Sequence, residues 1–460
     1  MKQTSQIKDF TKGSITKNLI IFALPLFFAN LLQVVYNMAD MAVVGHILGK
    51  TGISAVSVGG DVTHLLTFIA MGLSNAGQVL IARYIGAKER EKIGKFVGTM
   101  SGFLIISALV LTALGLIFQT ELLTLMNTPE EAFKGAISYS TVSMAGLIFI
   151  YGYNTVSAIL RGMGDSKHPF IFIAIAAVLN VILDLIFVVE FNMGEMGAAL
   201  ATIISQAVSF ISCVAFLVKR RKEFELTMKL RDFIVWDKEM LSALLKLGIP
   251  MAIKTASIQV SKLFVNSYIN SYGVTVSAFS GIANKVASVA NLISMAMNTA
   301  GSTVVGQNLA AGEFNRVKKV LKSLAEITIT VSTVFSVLIV LFPEEIFSLF
   351  IKTTETDVLS IAKNYIPIAI LLFYGAAARA IMNALLNGSG NYKINFATAI
   401  FDGIIMRIGL ALLFGLAFNM QYYGFWLGDA IAGFTPFFIG VVFYFNGSWK
   451  KSAVKNKEEA

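Results

Sequence analysis

Charged residues are scarce in this chain: only 14% of its 460 residues are Asp, Glu, Lys or Arg, whereas 56% are hydrophobic. A soluble domain of this length needs far more charge on its surface, so the composition excludes the soluble globular class. The chain also has a single cysteine, Cys213, and three histidines. We therefore expect neither a disulfide framework nor a metal site built from cysteines.

Motifs for catalysis are missing as well. The sequence contains neither a G-x-x-x-x-G-K-[ST] phosphate-binding loop nor an H-E-x-x-H zinc motif. Gly162-Met163-Gly164-Asp165 matches the G-x-G-D pattern of intramembrane aspartyl proteases, but Arg161 and Lys167 flank it and place it in a loop. Its second copy, Gly388-Ser389-Gly390-Asn391, lacks the acid. We therefore predict that the chain is not an enzyme and needs no organic cofactor.

The hydrophobic residues are gathered into runs of roughly twenty, the length that a helix needs to cross a hydrocarbon core. Helices satisfy their backbone polar groups internally, which lipid requires, and closed barrels lack such long apolar runs. The predicted spans are residues 17–40, 53–78, 96–118, 135–160, 169–190, 197–218, 242–270, 278–305, 320–343, 361–386, 393–418 and 423–446. The expected fold is an all-α polytopic membrane protein with twelve transmembrane helices.

The second half of the chain repeats parts of the first. Pro25 returns as Pro250, and Ala76-Gly77 returns as Ala300-Gly301. The pattern Leu-x-Gly-x-Gly-x-x-Lys-x-x-Phe begins at Leu160 and again at Leu386, and each separation is about 225 residues. Long internal repeats in a membrane protein are typical of transporters. We therefore predict two pseudo-symmetric bundles of six helices, with a substrate path between the repeats.

Lysine and arginine are concentrated in alternate loops. The densest run is Lys219-Arg220-Arg221-Lys222, whereas the intervening loops hold only Lys50, Lys134, Lys352 and Lys363. The positive-inside rule then predicts that both termini are cytoplasmic. The net charge of +10 is spread over many segments, which argues against nucleic-acid binding. We expect an N-terminal lobe at residues 1–218, a cytoplasmic linker at 219–241 and a C-terminal lobe at 242–460.

Ionisable residues inside predicted spans are costly, so each marks a candidate site. Asp40 and Asp184 lie near the outer ends of spans one and five, and Asn180 precedes Asp184 by one turn. Thr202 lies at a similar depth in span six, four residues after Ala198. Carboxylate, amide, hydroxyl and carbonyl oxygens suit a small hard cation, and two neighbouring carboxylates also favour a bound proton. These five residues are the predicted binding site for Na⁺ or H⁺.

The remaining polar groups of the spans allow two interpretations each. Asp61 belongs either to a site or to a simple pair with His64. Lys254, Lys262 and Arg407 in the second half line a substrate cavity or form packed salt bridges, such as one between Arg407 and Asp402.

Two prolines and two tryptophans have predicted structural roles. Pro25 and Pro250 lie inside spans and each removes a backbone hydrogen bond, which predicts bends that act as hinges or as static kinks. Trp426 and Trp449 lie near span ends and are expected to be anchors at the membrane interface.

Several blocks of sequence resemble the multidrug and toxic compound extrusion (MATE) family, and together they cover essentially the whole chain. They include Leu24-Pro25-Leu26, Tyr36-Asn37, Asp40, Val44-Gly45, Leu179-Asn180-x-x-Leu183-Asp184, Gly197-Ala198-Ala199-x-Ala201-Thr202-x-x-Ser205-Gln206 and Gly306-Gln307-Asn308. The resemblance implies twelve helices in two six-helix bundles and export driven by inward Na⁺ or H⁺. It also implies that the cation site uses the positions of Asp40, Asn180, Asp184, Thr202 and Ala198, and that Tyr139 and Asn154 are cavity residues of the same lobe.

The chain departs from its relatives in one respect. Some members carry an acid in helix seven, where this sequence has Lys254 and Lys262. A cation site in the C-terminal lobe and a cationic drug as substrate are therefore left open.

The predicted function is a secondary active exporter of small organic compounds, drugs or metabolites, in the plasma membrane. The alternatives are a lipid-linked saccharide flippase of the same broad architecture and an exporter of organic anions. The expected partners are a small-molecule substrate and the lipid bilayer, and the chain is expected to act as a monomer. The predicted substrate cavity is lined by Tyr36, Asn37, Tyr139, Asn154, Lys254, Lys262 and Arg407.

Overall fold

The computed structural model describes residues 6–227, 230–348 and 356–451, and it contains helices but no strand in those ranges. The predicted all-α class is therefore confirmed for this part of the chain. The α-helices are α1 Ile15–Gly86, α2 Glu91–Ile117, α3 Gln119–Leu125, α4 Glu130–Ala145, α5 Leu147–Gly162, α6 Lys167–Asp184, α7 Gly194–Lys219, α8 Leu230–Ile234, α9 Lys238–Asn270, α10 Val274–Ala310, α11 Phe314–Leu341, α12 Pro343–Ser348, α13 Thr356–Gly388, α14 Tyr392–Ile400, α15 Arg407–Leu412, α16 Gln421–Ala432 and α17 Thr435–Phe445. Lys352, one of the few bases in the intervening loops, lies outside the described residues.

The helices account for every predicted membrane span. Ten of the described helical segments are long and apolar enough to cross a membrane, and the pair α4–α5, bent by 47°, supplies an eleventh. Helix α1 has 72 residues, far more than the roughly twenty that one crossing needs, and it covers the first two predicted spans. Its helical geometry is broken at Gly49, between those two spans.

The backbone itself repeats along the chain. Gly49 (φ 65°) and Gly273 (φ 102°) both adopt the left-handed conformation that glycine tolerates without strain, and they are 224 residues apart. Gly164 and Gly390, the second glycines of the two G-x-G copies, also both have positive φ and are 226 residues apart. These breaks recur at the spacing of the sequence repeat, so the prediction of two similar halves is confirmed at the level of helix ends.

A second repeated feature is π-helical geometry. The segment Leu185–Glu190 follows α6 directly, and Leu413–Ala417 follows α15 near the equivalent place in the second half. A further π-helical segment, Phe401–Met406, separates α14 from α15 and contains Asp402. Such segments leave part of the helical backbone ladder misaligned, and they are common at functional sites.

By contacts, the described residues divide into two compact units. Unit 1 comprises residues 6–9 and 24–252, and unit 2 comprises residues 10–23 and 253–451. The division differs from the predicted lobes because the start of α1 belongs to unit 2, whereas the linker and the start of α9 belong to unit 1. Pro25 and Pro250 each lie within two residues of the point where their helix passes from one unit to the other.

In unit 1 the linker between the predicted lobes is packed on α2. Gly94, Gly98 and Gly102 recur at one-turn intervals, and a Cβ at Gly94 or Gly98 would come within 2.5 Å of a linker atom. The Trp236 ring packs edge-on against Phe103 at 5.6 Å between centroids. Three glycines on one helix face thus make room for the linker backbone.

In unit 2 an aromatic cluster forms much of the core. Trp426 is buried against Phe279 and Tyr365, with ring centroids 5.4 and 5.3 Å away. Trp449 is also buried, stacked on Tyr444. The prediction that Trp426 and Trp449 are interface anchors is therefore wrong, because their positions near span ends do not reveal that both rings face packed helices.

Candidate functional site

The candidate cation site lies in unit 1, at the end of α6. Asp184 is the last residue of α6, just before the π-helical segment, and its side chain has no exposure. Asn180, one turn earlier on the same face, is also buried. Asp40 on α1 is close enough for its charge to act on Asp184 and on Tyr139. The structure thus brings both predicted carboxylates into one buried region.

The oxygens of this region lack partners. Within the part of the chain that the structure describes, neither oxygen of Asp184 has a hydrogen-bond partner, and the same holds for Oδ1 of Asp40 and Oδ1 of Asn180. Burying an ionised carboxylate without a partner is very unfavourable, so such a group either binds a cation or takes up a proton. The donor set is entirely oxygen, as a small hard cation prefers.

Helix α7 closes the site from the other side. The Asn180 amide donates a hydrogen bond to the Thr202 hydroxyl across 3.4 Å. Both residues line a cavity of about 10 Å³ together with Tyr36 of α1 and with Ser205 and Gln206 of α7. A volume of this size holds about one water molecule. Neither Asp40 nor Asp184 is among its lining residues, so the cavity borders the carboxylate region through Asn180.

Tyr139 and Ala198 are buried in unit 1. Both belong to a buried cluster with Val44 of α1 and Val188 of the π-helical segment. The Tyr139 ring also lies against Gly59, where an added Cβ would approach it to 3.1 Å. These two residues therefore form the wall of the region that contains Asp40 and Asp184, and neither lines the small cavity itself.

Sequence reasoning missed two polar residues of the site. Ser205 and Gln206 line the cavity with Thr202, and the Ser205 hydroxyl is buried with no partner among the described residues. They follow Thr202 by three and four residues, so helical periodicity from Thr202 would have placed them on its face. Both occur in the sequence block Gly197–Gln206, where only Ala198 and Thr202 were selected.

Three other polar residues of unit 1 lie apart from the buried cavity. Asn37 is exposed, and Asn154 donates a hydrogen bond to the carbonyl of Ile150 in the preceding turn of its own helix. Asp61 is exposed and lies near enough to His64 for their charges to interact, but no hydrogen bond or ion pair joins the two side chains among the described residues. The structure does not bring these residues to the cavity lined by Asn180 and Thr202.

The basic residues of unit 2 separate into distinct environments. Lys254 is buried and donates a hydrogen bond to the side-chain oxygen of Asn383 at 2.5 Å. Arg407 donates hydrogen bonds to Asp402 at 3.2 Å and also to Asp429. Of the two interpretations of Arg407, the structure therefore shows the packed salt bridge. Lys262 and Arg407 line a second cavity of about 40 Å³, and Lys254 does not.

The two G-x-G copies end in helix caps. The Asp165 carboxylate accepts hydrogen bonds from the backbone N–H groups of Lys167 and His168 at 3.1 and 3.2 Å, at the start of α6. Asn391 accepts from the backbone N–H of Ile394 at the start of α14. An acid or an amide serves equally well as a helix cap, which accounts for the difference between the copies.

The MatE family model matches residues 25–186 and 250–433, the greater part of both halves. The chain belongs to the MatE family. Among curated relatives, “Probable multidrug resistance protein YoeA” of Bacillus subtilis is 29% identical over 448 residues, which cover 96% of each chain. “Probable multidrug resistance protein NorM” of Thermotoga maritima is 27% identical, over 96% of this chain and 95% of that protein.

Solved MATE structures share the fold. A crystal structure described as MATE in the bent conformation superposes with a TM-score of 0.87 at 24% identity, over 99% of this chain and all of the other. A MOP superfamily transporter from Pyrococcus furiosus, described as having a binding pocket of reversed polarity, gives a TM-score of 0.89 at 23% identity, over 97% and 99% of the chains. At these identities the likeness establishes the MATE fold.

Proposed function

We propose that this MatE family member is a secondary active exporter of small organic compounds, driven by Na⁺ or H⁺ that binds at Asp40 and Asp184. The observation that supports this proposal is the buried, unpartnered carboxylate of Asp184 beside Asp40 and Asn180. A group in this state gains strongly from a cation, because binding removes the cost of an uncompensated buried charge.

Either coupling ion fits the same oxygens. A proton on Asp184 would neutralise the carboxylate, and two neighbouring carboxylates share one proton more readily than a lone one accepts it. A sodium ion would take the oxygens of Asp40, Asp184, Asn180 and Thr202, with the Ala198 carbonyl as a further predicted ligand. The donor set supports both ions, so the choice requires measurement.

Coupling requires that the ion and the substrate distinguish the conformers of the transporter. An ion that binds one conformer more tightly shifts the population towards it by the difference in binding free energy. To shift two conformers from a ratio of 1:99 to one of 99:1, the ion must bind the favoured conformer more tightly by about 5.5 kcal/mol. Burial of Asp184 in one conformer and access to water in another would supply a difference of this kind.

The names of the relatives indicate the class of substrate. Two relatives are named multidrug resistance proteins, which supports drugs or metabolites as substrates of this chain. We propose that the protein acts as a monomer in the plasma membrane. The positive charge in alternate loops supports the proposal that both termini are cytoplasmic.

The test is transport by the full chain in proteoliposomes. Export of a panel of organic cations, anions and neutral compounds is measured under an imposed Na⁺ gradient and, separately, under an imposed H⁺ gradient. The proposal predicts that one of the two gradients drives accumulation of at least one compound. Downhill transport that ignores both gradients would show a facilitator and contradict the proposal.

A further inference from the structure

Unit 2 contains more buried positive charge than its acids can balance. Its spans place four cationic side chains and two carboxylates near one another. The cations are Lys254, Lys262, Arg379 and Arg407, and the carboxylates are Asp402 and Asp429. Ionised groups inside membrane-spanning helices are expensive unless they are paired or face a ligand. The excess of two cations therefore calls for a counter-charge.

Both carboxylates are already bound by one arginine. The Arg407 guanidinium is almost completely buried; it donates through Nη2 to Asp402 and through Nη1 to Asp429. Asp402 has no exposure. Neither Lys262 nor Arg379 forms an ion pair with a carboxylate among the described residues, although both are near enough for their charges to act on Asp429.

Lys262 and Arg379 instead line a cavity. The Lys262 ammonium makes no hydrogen bond or close ion pair with the residues that the structure describes. Arg379 makes one, from Nε to the carbonyl of Gly433 at 3.4 Å, which leaves its two terminal nitrogens available. An added Cβ at Gly433 would come within 2.8 Å of one of those nitrogens, so the glycine leaves room for the guanidinium.

The size and the walls of the cavity indicate what it accepts. Its volume of about 40 Å³ holds roughly three water molecules, the space of a small charged group with little else. Asn284 and Asn291 add amide groups to the lining, and the rings of Tyr365 and Trp426 add apolar surface. Asp429 also lines the cavity, and its carboxylate is paired there with Arg407. A planar guanidinium beside an ammonium is well suited to an oxyanion, to which arginine can donate two parallel hydrogen bonds.

We propose that this cavity is an anion site, in which Lys262 and Arg379 bind the carboxylate or phosphate group of an organic anion. The anion supplies the missing counter-charge of unit 2. The site lies in the other unit from the Asp40–Asp184 region and does not depend on its role. Lys254 adds to the positive potential but is held by Asn383 outside the cavity lining.

The experiment is isothermal titration calorimetry on the full chain in nanodiscs of zwitterionic phosphatidylcholine. Benzoate and phenyl phosphate are the probes, and benzylammonium is the cation of matched shape. We expect saturable binding of at least one anionic probe and none of benzylammonium. Lys262→Gln and Arg379→Gln should each weaken anion binding by about tenfold or more, as loss of a charge-assisted hydrogen bond implies.

Two variants separate loss of binding from loss of folding. Lys262→Arg keeps the charge and should bind the anionic probes more tightly than Lys262→Gln does. Lys322→Gln removes a lysine whose side chain is 78% exposed on α11, and it should bind as the unchanged chain does. Three results would overturn the proposal: no binding of either anionic probe, anion binding by Lys262→Gln and Arg379→Gln as tight as that of the unchanged chain, or benzylammonium binding as tight as that of benzoate.

Two further experiments identify the source of the anion and distinguish the anion site from the cation site. If phosphatidylglycerol in the nanodisc competes with benzoate, and the competition disappears in Lys262→Gln, the oxyanion is a lipid headgroup; without competition it is a soluble organic anion. Asp184→Asn should leave benzoate binding unchanged even if it abolishes ion coupling. Failure of the cation proposal and failure of the anion proposal therefore give different results.

Discussion

Asn180 on α6 donates its amide hydrogen to the hydroxyl of Thr202 on α7, across 3.4 Å. This contact fixes the orientation of the Asn180 side chain and leaves its Oδ1 buried, with no partner among the described residues. An amide oxygen held in this way, beside a carboxylate one turn away, is preorganised to bind a cation. The hydrogen bond is thus part of the geometry of the candidate site although it contacts no ion itself.

Removal of the Thr202 hydroxyl should weaken cation binding. Thr202→Val keeps the shape but leaves Asn180 without its acceptor, and loss of such a hydrogen bond costs about 1 kcal/mol, or roughly fivefold in affinity. Thr202→Ser retains the hydroxyl and serves as the matched control. Binding of radioactive Na⁺ and uptake of protons on a shift to lower pH would be measured in detergent. Equal affinity in Thr202→Val and Thr202→Ser would remove Thr202 from the site.

Neutralisation of Asp184 should change how the protein responds to the coupling ion. The ion binds the folded state, so at one hundred times its dissociation constant it should raise the free energy of unfolding of the unchanged chain by about 2.7 kcal/mol. The thermal midpoint of unfolding should rise accordingly. Asp184→Asn removes the charge and keeps the shape, so its midpoint should no longer respond to Na⁺ or to pH near neutrality. A variant whose midpoint still rises with the ion as in the unchanged chain would show that Asp184 is not a ligand.

Pro25 should control a bend in α1. It removes one backbone hydrogen bond inside the helix, at the point where α1 passes from unit 2 to unit 1. Pro25→Ala restores that hydrogen bond, and we expect the labelling rate of an Asn37→Cys reporter to change at least severalfold. The native Cys213 is buried, which keeps the background low.

Pro436→Ala is the control for this experiment. Pro436 lies in the first turn of α17, where a missing N–H disturbs no helical hydrogen bond. The Asn37→Cys reporter combined with Pro436→Ala should be labelled at the same rate as the Asn37→Cys reporter alone. If Pro25→Ala also leaves labelling unchanged, with and without the coupling ion, Pro25 is a static kink.

The linker should leave α2 at low pH. A hydrogen bond from the Lys95 ammonium, 2.7 Å long, is the main cause that lowers the pKa of Asp237 below its ordinary value. A carboxyl group with a lowered folded-state pKa stabilises the fold above its unfolded pKa, near 3.9, and this stabilisation is lost as the pH falls through the folded value. Lys95→Met should raise the pKa of Asp237, so that the linker detaches at a higher pH.

Trp236 fluorescence measures this detachment, because its ring packs on Phe103 only while the linker is on α2. Lys92→Met is the control, since Lys92 pairs with Glu89 and not with the linker. Acid midpoints that coincide in Lys95→Met and Lys92→Met would show that the Lys95–Asp237 pair does not hold the linker.

The parts of this structure that follow from local physics were predictable from sequence. Long apolar runs require helices in lipid, and the repeat in the sequence predicts two similar halves. Asp184 and Asn180 were identifiable because a polar residue inside an apolar run is costly wherever it faces. The orientation of a side chain depends on which helices pack around it, so sequence alone left open whether Arg407 is paired and did not identify Asn383 as the partner of Lys254.

Contacts between distant segments were the other limit. The linker packs on Gly94, Gly98 and Gly102, which lie more than a hundred residues away in the sequence. No periodicity within either segment predicts this contact. The same holds for residues 10–23, which lie with unit 2 because the Phe10 N–H donates to the Gln307 side chain at 2.8 Å. A predicted boundary at a polar loop cannot anticipate a helix that is shared between units.

Ion-driven export by matched variants tests the central claim most directly. Proteoliposomes with the unchanged chain, Asp184→Asn or Asp61→Asn are compared under the driving gradient identified with the substrate panel; Asp61→Asn removes an exposed carboxylate of the same unit. The account predicts that Asp184→Asn inserts normally and loses gradient-driven export, whereas Asp61→Asn exports at the rate of the unchanged chain. Gradient-driven export by Asp184→Asn at the unchanged rate would contradict the assignment of the buried site of unit 1 as the coupling site.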